Sequence, residues 1–149
     1  MPLQDAVMTK MKDAMRAKDT VALSSLRAIK SALLLAQTAG SGAVLSAEEE
    51  IKLVQKLVKQ RQDSAAIYKE QGREDLAAPE LAEVAVMAQF LPEQLSEEAV
   101  KEVVAQIIAT SGASGMGDMG KVMGMASKEL AGKADGKTIS SVVKALLTA

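Results

Sequence analysis

No stretch of this chain alternates polar and apolar residues over the length of a strand, while apolar residues recur at threes and fours from end to end. Ala, Leu, Met, Glu, Gln and Lys dominate, and Gly and Pro fall only at a few punctuating points. Such a pattern admits helices and little else. At 149 residues the chain suffices for one ordinary domain or two very small ones.

The punctuation sets the segments. A first helix is expected from about Leu3 to Lys18, with Val7, Met11, Ala14 and Met15 on one face. Asp19-Thr20 is a cap for a second, running to about Thr38 with Leu23, Leu26, Ile29 and Leu33 inward. Residues 39–45 break it. Ser46 with Glu49 spells a capping box and opens the longest helix, Ala47 to Gln71. Ile51, Val54, Val58, Ala65 and Tyr68 form its seam, expected to pack on the first two helices. Gly72 stops it, and Asp75 to Leu91 makes a fourth helix with Pro79 in or near its first turn. Pro92 ends that helix and Ser96 caps the next. Three shorter helices follow, about 97–110, 116–131 and 137–148, punctuated by Gly112, Gly115 and Gly132. The expected fold is therefore all-α: an N-terminal helical domain over 1–91, a hinge at 92–95, and a compact three-helix domain over 96–149.

Composition removes whole classes of chemistry. Cys and His are both absent, which excludes disulfides, thiol nucleophiles, Cys/His zinc sites and any Ser-His-Asp relay. Tyr68 and Phe90 are the only aromatics, so base-stacking platforms are excluded as well. No leader-like apolar core opens the sequence and no run approaches the length of a membrane span, so a cytoplasmic protein without a membrane partner is expected. The formal net charge is −1, which rules out a basic field over the whole chain. It is unevenly laid out: residues 1–62 carry net +4, residues 63–98 net −7 and residues 99–149 net +2.

Several motifs tempt. Residues 131–138, AGKADGKT, fit a loosened phosphate-loop pattern, but a helix precedes them where the loop requires a strand. The plainer reading has Gly132 ending one helix and Asp135 capping the next. Between the two, Gly136, Lys137 and Thr138 sit at a helix N-terminus, where free N–H groups suit a single anion such as an RNA phosphate. Gly115 to Gly120 spell GxGxxG, again without a strand; Gly117, Gly120 and Gly124 instead fall at helical spacing and are expected to let another helix approach closely. Met116, Met119 and Met123 beside them read as core. Ser140 and Ser141 near Lys137 and Lys144 lack the oxyanion hole and buried Lys of a Ser-Lys amidase. No cofactor or metal site is expected, and no catalytic residue is assigned.

The C-terminal lysines carry more. Lys121 and Lys128 are seven residues apart on one helix, Lys137 and Lys144 seven apart on the next, and Lys133 lies in the loop between. Each pair shares a helix face two turns apart. If the faces adjoin, five ammonium groups line one surface able to grip a phosphate backbone without reading bases.

Residues 72–98 (GREDLAAPELAEVAVMAQFLPEQLSEE), 116–125 (MGDMGKVMGM) and 132–147 (GKADGKTISSVVKALL) resemble, in this order and over essentially the whole chain, the YqeY family of small bacterial proteins. That family is similar to the tail region of the B subunit of aspartyl/glutamyl-tRNA amidotransferase. The resemblance implies an all-helical N-terminal domain followed by a compact three-helix domain. It implies a tail-like part that helps hold tRNA, with ammonia production and ester activation residing in other domains and subunits. Lys133, Asp135, Gly136 and Lys137 match the family motif in position. The carbon–nitrogen ligase label with glutamine as amido-N-donor follows from this kinship alone.

Three functions are thus open: a non-catalytic tRNA-associated module, a protein-interaction module docking a partner through Met- and Leu-rich helix faces, and an accessory component of a glutamine-dependent tRNA amidotransferase. In isolation the chain is expected neither to hydrolyse ATP nor to release ammonia from glutamine.

Overall fold

The computed structural model describes residues 2–39 and 44–148. Among them are seven α-helices and one short 3₁₀ turn, and no strand: α1 (Leu3–Ala17), α2 (Thr20–Ala39), α3 (Ala47–Glu70), α4 (Glu74–Ala88), α5 (Glu97–Ser111), the 3₁₀ turn (Met116–Asp118), α6 (Met119–Glu129) and α7 (Gly136–Thr148). The fold is all-α. The expected break over residues 39–45 falls largely outside the described residues.

Helix ends are set by local chemistry. Asp19 Oδ1 accepts the N–H of Ala22, 3.0 Å away, at the start of α2. Ser46 Oγ accepts from the Glu49 N–H, and the Glu49 carboxylate accepts from the Ser46 N–H, both at 3.1 Å. This reciprocal pair opens α3. At its other end Gly72 takes φ +72°, the left-handed geometry that glycine adopts most cheaply. The Arg73 N–H then reaches the Tyr68 carbonyl at 2.8 Å and the Gly72 N–H that of Lys69 at 3.0 Å. That pairing is a Schellman stop. Ser96 and Asp135 cap α5 and α7 through Ala99 N–H (3.2 Å) and Thr138 N–H (2.6 Å).

The chain divides into two compact units, one ending at Leu91 and the other beginning at Pro92. In the N-terminal unit α1 packs on α2, α2 on α4 and, less extensively, on α3, and α3 mainly on α4. The long helix therefore finds its chief partner in the helix after it, not in the first two. A short α3–α4 turn favours antiparallel packing of neighbours, which periodicity alone does not specify. Val7, Leu26, Ile29, Val54 and Met87 form the centre of the core. Arg61 and Glu83 tie α3 to α4 at 3.0 Å, with side chains only 19% and 24% exposed. Glu50 accepts the Leu3 N–H at 2.9 Å and so joins the first turns of α1 and α3.

The C-terminal unit encloses Val100, Val104 and Ile107 of α5, Val122, Ala126 and Leu130 of α6 and its end, and Ile139, Val142, Val143 and Leu147 of α7. The strap before α5 is fastened to the α6–α7 loop. Leu95 N–H donates to the Lys133 carbonyl at 2.9 Å, and Gln94 Nε2 to that of Gly132 at 2.6 Å.

Four expectations change. Met15 is 53% exposed, because the inward face of α1 is carried by Leu3, Val7 and Ala14. Pro79 is the sixth residue of α4, inside the helix and past its first turn, where it offers no N–H to the Asp75 carbonyl. Gly117, Gly120 and Gly124 admit no close helix: a Cβ at any of them would meet nothing within 4 Å among the described residues. Met116 is exposed, and the core stripe of α6 runs through Val122, Ala126 and Leu130, with Met119 and Met123 only half-buried beside it.

Candidate nucleic-acid interface

Lys121, Lys128, Lys133, Lys137 and Lys144 are all exposed. On α6, Lys121 and Lys128 lie about 150° round the helix from the buried Val122, Ala126 and Leu130. On α7, Lys137 and Lys144 lie about 130° from the mean direction of Ile139, Val142, Val143 and Leu147. Burial of one stripe thus turns each lysine pair outward, and the two helices pack on each other. The lysines of a pair are about 10.5 Å apart along the axis. Among the described residues, none of the five takes part in a salt bridge; the paired lysines are Lys52 with Glu48 and Lys101 with Glu97.

Their surroundings differ. Lys121 Nζ reaches toward the Ser111 carbonyl at 3.5 Å, the edge of hydrogen-bond range, beside the C-terminus of α5. Lys128 lies in the last turn of α6, where the helix dipole favours a cation. Lys137 lies in the first turn of α7, where the dipole opposes one. Gly136 opens α7 with open space at its Cβ position. Thr138 is half-buried, and its N–H is already donated to Asp135 Oδ1. The carboxylate of Asp135 therefore takes one of the donors that an anion at this terminus would use.

Charge in this unit is arranged rather than in excess. From Met119 to Thr148 five lysines face two carboxylates, Glu129 and Asp135, a net of +3. α5 carries Glu97, Glu98 and Glu102 against Lys101, a net of −2. A charge sum that starts at residue 99 leaves Glu97 and Glu98 in the acidic stretch before it, splits α5 and hides the contrast, although a count helix by helix finds it. The strap that holds the carbonyls of Gly132 and Lys133 is likewise invisible in the sequence, since residues 38 positions apart in the chain leave no local signal.

The hollows of the N-terminal unit include two shallow ones lined by described residues. One, of about 210 Å³, lies beside Lys10, Asp13, Asp19 and Gln89; the other, of about 230 Å³, beside Leu3, Glu50, Ile51 and Phe90. Neither brings a nucleophile to a base. No group of three or more His, Cys, Asp or Glu stands close enough to hold a metal ion among the described residues. No helix there is long and apolar enough to cross a membrane.

The family model for Yqey-like proteins matches residues 4–147. The chain belongs to the YqeY family. A curated relative, a glutamyl-tRNA(Gln) amidotransferase subunit of Thermococcus gammatolerans, is 46% identical over 55 residues. That match takes in 37% of this YqeY chain but only 9% of the relative. The kinship is thus to a small part of a much longer amidotransferase subunit.

Proposed function

We propose that this YqeY protein is a non-catalytic, tRNA-associated helical module that holds RNA backbone through the lysines of α6, α7 and their loop. The observation that carries the reading is five exposed lysines, none in a salt bridge among the described residues, in the net +3 stretch of a unit whose first helix is net −2. Exposed ammonium groups are the ordinary means of neutralising phosphates. The relative's name supplies tRNA as the RNA. Lys137 adds weight, because a cation in a first helical turn works against the dipole and gains from an anionic partner.

Affinity for tRNA should fall with salt, with a log–log slope of roughly 0.7–0.9 per phosphate neutralised. Replacing Lys121, Lys128, Lys133, Lys137 and Lys144 by Gln should flatten that slope while leaving helicity intact. The same change at Lys52, Lys56 and Lys59 should matter less, Lys52 already being paired with Glu48. Equal binding by wild type and the five-Gln variant removes the RNA surface from this unit.

Kinship to an amidotransferase subunit supports a second reading, a docking partner protein. Binding of that kind depends on apolar residues and tolerates salt. A complete lack of tRNA binding at low salt decides for it.

A further inference from the structure

We infer that Gln94 is a positioning residue for RNA binding: it holds the backbone of Lys133 in place through the carbonyl of Gly132, without itself meeting RNA. The inference rests on the tRNA-associated reading above and adds a residue that the reading does not use.

Lys133 is the one candidate lysine outside a helix. A loop lysine moves with its backbone and has to be ordered when it binds, which lowers affinity. Here the backbone is tied down. The Lys133 N–H donates to the Leu130 carbonyl at 2.9 Å, and the Lys133 carbonyl accepts from the Leu95 N–H at 2.9 Å. The carbonyl just before it, that of Gly132, accepts from Gln94 Nε2 at 2.6 Å. Gly132 is buried and takes φ +78°, so the turn leading into Lys133 has a fixed geometry of its own. The Lys133 side chain stays exposed and forms no salt bridge among the described residues.

Gln94 suits this role by its chemistry. A primary amide carries two N–H donors on one nitrogen. Gln94 Nε2 reaches Gly132 across the fold and also the Pro92 carbonyl, two residues back, at 2.9 Å. One side chain therefore bridges strap and loop, while the neighbouring Leu95 packs its side chain on the core of this unit. A phosphate gripped by Lys133 finds an ammonium already anchored at its root, and less freedom is lost on binding.

The test uses the full chain, tRNA and Gln94→Met, which keeps the length of the side chain and removes its donors. Hydrogen exchange should show the Leu95 amide opening about tenfold faster relative to the Val104 amide of α5, the effect of one lost hydrogen bond. Lys133→Gln should lower tRNA affinity about fivefold at about 0.1 M salt and reduce the salt slope by about one contact. Gln94→Met should lower affinity about two- to threefold at an unchanged slope, because the charge remains and only its anchoring is lost. In the Lys133→Gln background it should cause no further loss. A merely structural role would speed exchange and leave affinity alone. Affinity unchanged by Gln94→Met, or an equal loss with and without Lys133, overturns the inference and leaves RNA binding standing. Leu95 exchange that keeps pace with Val104 in the variant overturns it too. If Gln94→Met loses helicity, Gln94→Asn, which keeps the amide but shortens its reach, repeats the comparison. No binding of tRNA by the wild type overturns the tRNA-associated reading, and this inference with it.

Discussion

Lys18 and the pair of Arg73 with Asp75 show how little of a local geometry is decided by residue type alone. Lys18 ends α1 at φ 56°, the one non-glycine with positive φ among the described residues. Left-handed backbone costs an L-residue about 1–2 kcal/mol, part of which glycine returns as greater freedom of the unfolded chain. Lys18→Gly should therefore raise stability by up to about 1 kcal/mol, read as a higher urea midpoint at unchanged m-value. Arg73 and Asp75 form a two-pronged pair, Nε to Oδ1 and Nη2 to Oδ2, each 3.0 Å. The Arg73 fork foremost, aided by the Leu76 backbone N–H, holds the Asp75 carboxyl below its ordinary value. A depressed folded-state pKa contributes stability above the unfolded pKa, and that contribution is lost as pH falls through the folded one. The pair is solvent-exposed, so the effect belongs to the titration rather than the melt. NMR titration should place the Asp75 carboxyl below its ordinary value, and Arg73→Gln should move it back toward that value.

At the scale of the helix, caps were legible in the sequence because their donors and acceptors lie three residues apart. Ser46 with Glu49, Asp19 and Asp135 all act as the sequence predicts. What covers a helix face is a different kind of fact, fixed by segments distant in the chain. The glycines of α6 illustrate it, since their spacing fits a close helix crossing and no such crossing is made among the described residues. Met15 and the partner of α3 escaped prediction for the same reason. The candidate lysines were legible as residues and as pairs, and the acidic contrast of α5 as a count over one helix; the fastening of the loop at Lys133 was not. The open glycines have a measurable consequence. Gly124 sits in a helix interior with ordinary backbone and open space at its Cβ, so Gly124→Ala should stabilise the protein by about 0.8–1 kcal/mol. A raised denaturation midpoint checks this, and a loss of stability would mean that a side chain is not free to stand there.

For the molecule as a whole, the division at Leu91 gives each unit its own buried cluster. A fragment of residues 92–149 should therefore fold alone, as a small domain of modest stability. Circular dichroism with a cooperative thermal transition checks it, and a non-cooperative, weakly helical fragment would show the core to be insufficient. The fastening of Leu95 to Lys133 gives that unit an internal clock. The Leu95 amide belongs to no helix, yet its hydrogen is shared with a carbonyl 38 residues further along the chain. Ordinary fraying at a helix end cannot release it, because its partner lies at the far end of α6. In deuterated solvent it should exchange as slowly as the amides of α5's interior, timed by the opening of the entire three-helix unit. A single slow peak from a segment without regular structure would then report, residue by residue and without a label, each event in which α5 and the α6–α7 loop part company.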